Sequence, residues 1–222
     1  MAFFSEDFHA FFSELNKNNN KEWFDKNRKR YENEVKNPFK KFVEHLISKV
    51  HGIDPNVNIE AKDAIMRINR DIRFSKDKTP YKTQAAAVIS AGGRKNMSIP
   101  GQFFSLGING MEIYGGLYQT DKTQLYNIRQ HISYNLKKFE DLINDQKFKK
   151  QFGAIEGEKN KIIPTEFKAD AKNQTLIYNK SFYFHCKFEP EIIVKDNLDE
   201  IWLDCYKTGK PICDFLHEGS QG

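Results

Sequence analysis

The sequence predicts an α+β domain, with an antiparallel sheet of about four to six strands (residues ~62–118 plus ~181–189) packed by N-terminal, central and C-terminal helices. Three observations predict it. Apolar residues recur at helical spacing from the start of the chain to about residue 50, the period then shortens to two between residues 64 and 117, and helical spacing returns near 121–151 and 198. The order of helices, strands, helices, strand and helix fits a single domain over residues 1–217, followed by a loose polar tail at 218–222.

Residues 5–16 put Phe8, Phe11, Phe12 and Leu15 on one helical face, with Ser5 as N-cap and Glu6 and Asp7 at the positive helix end. The run Asn18-Asn19-Asn20 breaks that helix. Asn19 with Glu22 three residues later reads as a capping box for a second, long helix through Trp23, Phe24, Tyr31, Val35, Phe42, Val43, Leu46, Ile47 and Val50. Pro38 lacks a backbone donor and should kink or split it, and Gly52 should end it.

From Ala64 the chain alternates. Ala64, Met66, Ile68, Ile72 and Phe74 share one face and Arg67, Asn69, Asp71 and Arg73 the other, which predicts a half-buried strand. A second strand is expected over 83–91, and strands at 102–108 and 111–117 flank Asn109-Gly110, a signal for a type I′ hairpin. Gly115-Gly116 should end or bulge the last of these. Helices follow at about 121–135, with Leu125, Ile128 and Ile132 in phase, and at about 137–151, closed by Gly153. Residues 154–180 read as polar and irregular. A strand with Phe182, Phe184, Cys186 and Phe188 on one side precedes a helix carrying Leu198, Ile201, Trp202 and Cys205.

Composition narrows the function classes. With 39% hydrophobic residues, 19 Phe and 9 Tyr, the chain has apolar surface enough for a core, and its net charge of +5 is too mild for a dedicated high-affinity DNA binder. No apolar run reaches the roughly 18–20 residues that cross a bilayer, and the N-terminus lacks the basic and small-residue signals of a leader. A soluble cytoplasmic protein without a membrane partner is expected. Cys186, Cys205 and Cys213 are too few for a disulfide framework and read as core. The histidines lack zinc-site spacing, and neither a Walker-type loop, a dinucleotide fingerprint nor a nucleophile elbow occurs, so no metal and no cofactor is expected.

One segment concentrates charge. Residues 67–82 read RINRDIRFSKDKTPYK, and Arg67, Arg70, Arg73, Lys76, Lys78 and Lys82 face only Asp71 and Asp77, a surplus of four positive charges. On a strand, Arg67 and Arg73 share a face with Asp71, an arrangement of guanidinium forks suited to a phosphate group. Asp71 is the candidate orienting group or general base. The same residues also read as the solvent face of an ordinary strand, paired among themselves. Arg70 falls on the apolar face, where a charge needs a partner, with Glu22 or Asp25 as candidates or else a ligand. Glu22, Trp23, Tyr81 and Tyr118 are candidate pocket walls.

The motifs Asn20-Lys21-Glu22-Trp23-Phe24, the run from Arg67 to Thr83, and Gly115-Gly116-Leu117-Tyr118 resemble the bacterial and fungal conserved-hypothetical family called domain of unknown function 2461. The likeness extends from Phe8 through Lys180-Ser181-Phe182 to Pro211-Ile212-Cys213-Asp214-Phe215-Leu216. It departs after Gly116, where Gln119-Thr120-Asp121 replaces an expected proline, and near Glu166, where glycine is expected. The resemblance implies a stand-alone cytoplasmic domain and brings no assigned activity and no catalytic residue.

The expected function is binding, with turnover left open, of a phosphorylated or other anionic small molecule by the basic segment. Nucleic-acid binding through backbone phosphates is the alternative, and a protein-interaction or structural role is a third. The residues do not decide between an enzyme and a binding module, nor the oligomeric state.

Overall fold

The computed structural model describes residues 2–221 and has the predicted α+β architecture. Helices α1 (Glu6–Lys17), α2 (Lys21–Lys26), α3 (Arg28–Arg30), α4 (Asn37–His51) and α5 (Ala61–Ala64) precede strands β1 (Gln84–Ile89), β2 (Gly101–Gly107) and β3 (Gly110–Leu117). Helices α6 (Lys122–Tyr134), α7 (Leu136–Ile143) and α8 (Gln146–Phe152) then lead to β4 (Phe182–Phe188) and to α9 (Leu198–Gln221). The strands form one antiparallel sheet in the order β1-β2-β3-β4.

The chain divides into two compact units, one of Met1–Ile89, Phe103–Ile113 and Lys187–Leu203, the other of Ser90–Gln102, Tyr114–Cys186 and Asp204–Gly222. In the first, Phe8, Phe11, Phe12 and Leu15 of α1 and Phe39, Phe42, Val43 and Leu46 of α4 are buried. The Phe104 ring lies 5.7 Å from that of Phe39 and 5.4 Å from that of Trp202, so burial of large aromatics carries this core. Arg30 closes the outside by bonding both Asp7 and Glu14 of α1, which holds both carboxyls below their usual range. In the second, Phe148 and Phe152 of α8 pack on Phe184 at 5.2 and 4.5 Å, and Phe139 of α7 stacks on Phe215 at 5.1 Å.

Several local expectations change. Asn20, not Asn19, caps α2 through the Trp23 N–H at 2.9 Å, and Glu22 pairs with Lys26 instead of completing a capping box. The long helix is divided, with a π turn at Tyr31–Lys36 before Pro38, which enters the first turn of α4. Proline offers no N–H to the carbonyl four residues back and its ring crowds that carbonyl, so the preceding turn widens.

The hairpin between β2 and β3 exists, but its turn is not type I′. Type I′ needs positive φ at both central residues, and among the described residues only glycines have it. The turn falls at Ile108 and Asn109, and Gly110 takes φ +89, the position a glycine bulge occupies. β3 runs through Gly115-Gly116 with a bulge-like φ of +104 at Gly116. The helix expected over 137–151 is two, because the Asp145 side chain accepts the Phe148 N–H at 2.9 Å and starts a new helix. The polar segment at 218–221 is helical rather than loose, and Ser220 is buried. Gly222 of the expected tail lies outside the described residues.

The largest change concerns residues 64–74, which are not a strand. Ile65 bridges Ala87 and Asn69 bridges Tyr81, both antiparallel, and between them the chain is irregular. Four residue steps separate Ile65 from Asn69 but six separate Tyr81 from Ala87, so the partner carries two extra residues and no continuous ladder forms. Beyond Arg70 the chain leaves the pairing, and Phe74, expected on the buried face, is 96% exposed.

Candidate functional site

The basic segment is a loop on a two-stranded neck. The Arg70 N–H donates to the Pro80 carbonyl at 2.9 Å and the Lys82 N–H to the Ile68 carbonyl at 2.8 Å. One neck strand is fixed from behind by Asn19, whose side chain donates to the Tyr81 carbonyl at 2.9 Å and accepts the Tyr81 N–H at 3.1 Å. The amide thereby mimics a neighbouring strand. The buried Tyr81 ring stacks on Phe24 with centroids 4.0 Å apart, so it is a core residue that anchors the loop. Trp23 is half-buried with its ring 5.5 Å from that of Phe11, and Glu22 is exposed.

Inside the loop, Asp77 organises the chain. Its carboxylate accepts the Thr79 N–H at 2.9 Å, the Arg70 guanidinium, and the Thr79 hydroxyl at 3.1 Å. These donors, led by the Thr79 backbone N–H, pull its pKa down to about 2. Arg70 thus finds its partner seven residues along the chain, in Asp77, rather than in Glu22 or Asp25. Asp25 is bonded to Arg28 at 2.6 Å. Arg73 and Asp71 form a two-bond fork at 3.0 and 2.7 Å, which lowers the Asp71 pKa and makes that carboxylate a weaker base. The Lys78 ammonium donates to the Ile72 carbonyl at 2.9 Å.

The predicted cluster therefore separates into two groups. Arg70, Arg73 and Lys78 are engaged within the loop. Arg67, Lys76 and Lys82 have no carboxylate at ion-pair distance among the described residues, and Lys82 is half-buried. Burial first, and the charge of Arg67 second, lower the Lys82 pKa, as expected for neighbouring like charges without a counter-ion.

Tyr118, the remaining wall candidate, is 64% exposed, belongs to the second unit and lines an open cavity there of about 700 Å³. The same cavity is lined by Arg129 of α6, which the sequence reading passed over. A signal was available: Arg129 lies four residues after Leu125 and three before Ile132, on the apolar stripe.

Other chemistry is sparse. Among the described residues, no group of three or more His, Cys, Asp or Glu side chains is placed to hold a metal ion. The three cysteines are buried and form no disulfide, with the sulfurs of Cys186 and Cys205 4.0 Å apart, and burial pushes the Cys213 thiol up to about 12, far from a reactive thiolate. Among the described residues, no helix is long and apolar enough to cross a membrane. A search of curated proteins finds no match. The model of the conserved hypothetical protein family DUF2461 matches residues 7–215, most of the sequence and all the segments just described; the chain belongs to this family.

Proposed function

We propose that the protein binds a phosphorylated or otherwise anionic small molecule at the neck of the basic loop, with Arg67 and Lys82 as principal contacts and Lys76 as an outer one. One observation carries this reading: Lys82 is half-buried beside another cation, with no carboxylate among the described residues to offset either. A bound oxyanion would relieve that repulsion and accept charge-assisted hydrogen bonds from both side chains. Lys82 would then regain a normal or raised pKa. The protein acts in a reducing compartment, the cytoplasm, consistent with three buried cysteines that form no disulfide.

Single-stranded nucleic acid is the second reading, favoured by the loop tip. Phe74 is almost fully exposed and the Arg73 guanidinium lies 5.9 Å from its ring centre, a base-stacking surface next to phosphate-binding cations.

The test is thermal stability against inorganic phosphate, sugar phosphates, nucleotides and short single-stranded DNA and RNA, for wild type, Arg67→Ala/Lys82→Ala and Phe74→Ala. A ligand near a hundredfold its Kd adds about 2.7 kcal/mol to stability. A shift with small phosphates that the double substitution abolishes and Phe74→Ala leaves intact supports the first reading. A shift with oligonucleotides alone, lost in Phe74→Ala and falling steeply with salt, supports the second. No shift with any ligand in the folded protein refutes both and leaves a structural or protein-docking role.

A further inference from the structure

The cavity beside Tyr118 is built entirely from the second unit and is independent of Arg67 and Lys82. Arg129, at its wall, is only 5% exposed. Its Nε donates to the Ile177 carbonyl at 2.8 Å and one terminal nitrogen, Nη2, to the Asn179 carbonyl at 3.2 Å. The other terminal nitrogen, Nη1, has no partner among the described residues, yet it is not among the buried atoms sealed away from solvent. Among the described residues no carboxylate pairs with the guanidinium, so its full charge sits in a largely desolvated place, held by two neutral carbonyls.

The acidic groups on the same cavity have partners other than Arg129. The Asp121 carboxylate caps α6 by accepting the Gln124 N–H at 2.8 Å, and Glu158 pairs with Lys180 at 3.4 Å. Ser181, 7% exposed, has a hydroxyl with no partner among the described residues, and it too lines the cavity and is not sealed off. Its wall is set by a tight pairing: the Lys180 N–H donates to the Glu158 carbonyl at 2.6 Å, and at Gly157 a Cβ would collide with the Ser181 carbonyl. Two aromatic rings complete the site. Tyr118 and Tyr183 meet edge to face with centroids 5.6 Å apart, and burial raises the Tyr183 pKa, so its phenol stays protonated at neutral pH.

A buried cation with an unused donor, a buried hydroxyl with an unused donor and acceptor, and a tyrosine wall describe one kind of ligand. We propose that this cavity binds a small aromatic oxyanion, a phosphate monoester or carboxylate, with the anionic group on Arg129 Nη1 and Ser181 Oγ and the flat ring against Tyr118 and Tyr183. A cavity of this size is large enough for a single small ligand fixed by a few convergent polar groups.

Calorimetric titrations with phenyl phosphate, benzoate and inorganic phosphate, in the Arg67→Ala/Lys82→Ala background, test this without interference from the loop. Phenyl phosphate or benzoate should bind, and whichever binds more tightly identifies the oxyanion. Inorganic phosphate should bind more weakly than phenyl phosphate for want of the ring. Ser181→Ala and Tyr118→Ala, the second at an exposed position that leaves folding intact, should each weaken binding by about tenfold. Absence of binding by both aromatic probes at millimolar concentration, or binding indifferent to both substitutions, overturns the proposal.

Discussion

In the loop at 70–80, Arg73 pairs with Asp71 two residues away and Arg70 with Asp77 seven residues away, whereas Arg129 reaches the carbonyls of Ile177 and Asn179, 48 and 50 residues away. The loop pairs are local and exposed, with side chains that share a stretch of chain even when the rest of the protein is unfolded. Arg129 is desolvated and held only by the folded backbone. An arginine's sequence context thus says little about its role: the segment rich in cations pairs two of its six with its own carboxylates, while a lone arginine on an apolar stripe has no carboxylate partner among the described residues.

The largest effect that would sharpen this contrast is on stability. Arg129→Ala strands two buried carbonyls and should cost about 2–4 kcal/mol, read by chemical denaturation, a loss set by the desolvation of unpaired acceptors. Arg73→Ala should leave the denaturation midpoint unchanged within error. Equal effects would dissolve the distinction. Next in size, Asn19→Ala removes both bonds to the Tyr81 main chain and should cost about 1–2 kcal/mol by the same measurement. It should also weaken any anion binding at Arg67 and Lys82, since the neck that presents them loses its clamp.

Smaller effects concern charge release. Asp77→Ala frees Arg70, so affinity for inorganic phosphate, measured by calorimetry, should rise several-fold; an unchanged or reduced affinity would mean that the Asp77 turn shapes the site more than it competes for it. Lys82 and Asp77 are both shifted down, but burial disfavours the charged form of Lys82 whereas hydrogen bonds favour that of Asp77. The folded pKa of Lys82 is below the ordinary lysine value, so the native state releases this proton first, and stability rises with pH from that lowered pKa up to the unfolded value near 10.5. Lys82→Met should accordingly raise the Tm at neutral pH by about 2 °C and flatten that rise. Asp77, with its pKa near 2, contributes stability that is complete above its ordinary value of 3.8 and is lost as pH falls through about 2. A carboxyl titration by NMR with a midpoint near 2, followed by the Thr79 amide, would verify the turn.

Much of the architecture was legible because it depends on periodicity. The stripe Phe8, Phe11, Phe12 and Leu15 gives α1, the alternation of Phe182, Phe184 and Cys186 gives β4, and the asparagine-glycine pair marks the β2–β3 hairpin, all with the core faces seen in the structure. The alternation at 64–74 is equally regular and misleads. A strand requires a partner in register, and the partner at 81–87 carries two residues too many, a mismatch between segments that neither pattern contains by itself. The type I′ turn fails for a related reason: the strands meet one residue earlier than the dipeptide suggests, and glycine alone takes the positive φ.

Sequence by itself determined the fold class, the membership of its family, the core faces of most helices and strands and the concentration of positive charge at 67–82. Family membership follows from whole motifs matched along the chain, and the rest from spacing and composition, which are local properties of the chain. Only the tertiary structure decided which charges remain uncompensated: Asp77 consumes Arg70 through a turn, Asp71 consumes Arg73, and Arg129 is buried against carbonyls with no carboxylate among the described residues to cancel it. Compensation depends on which groups meet and on how much water remains around them, and both are fixed when distant segments pack.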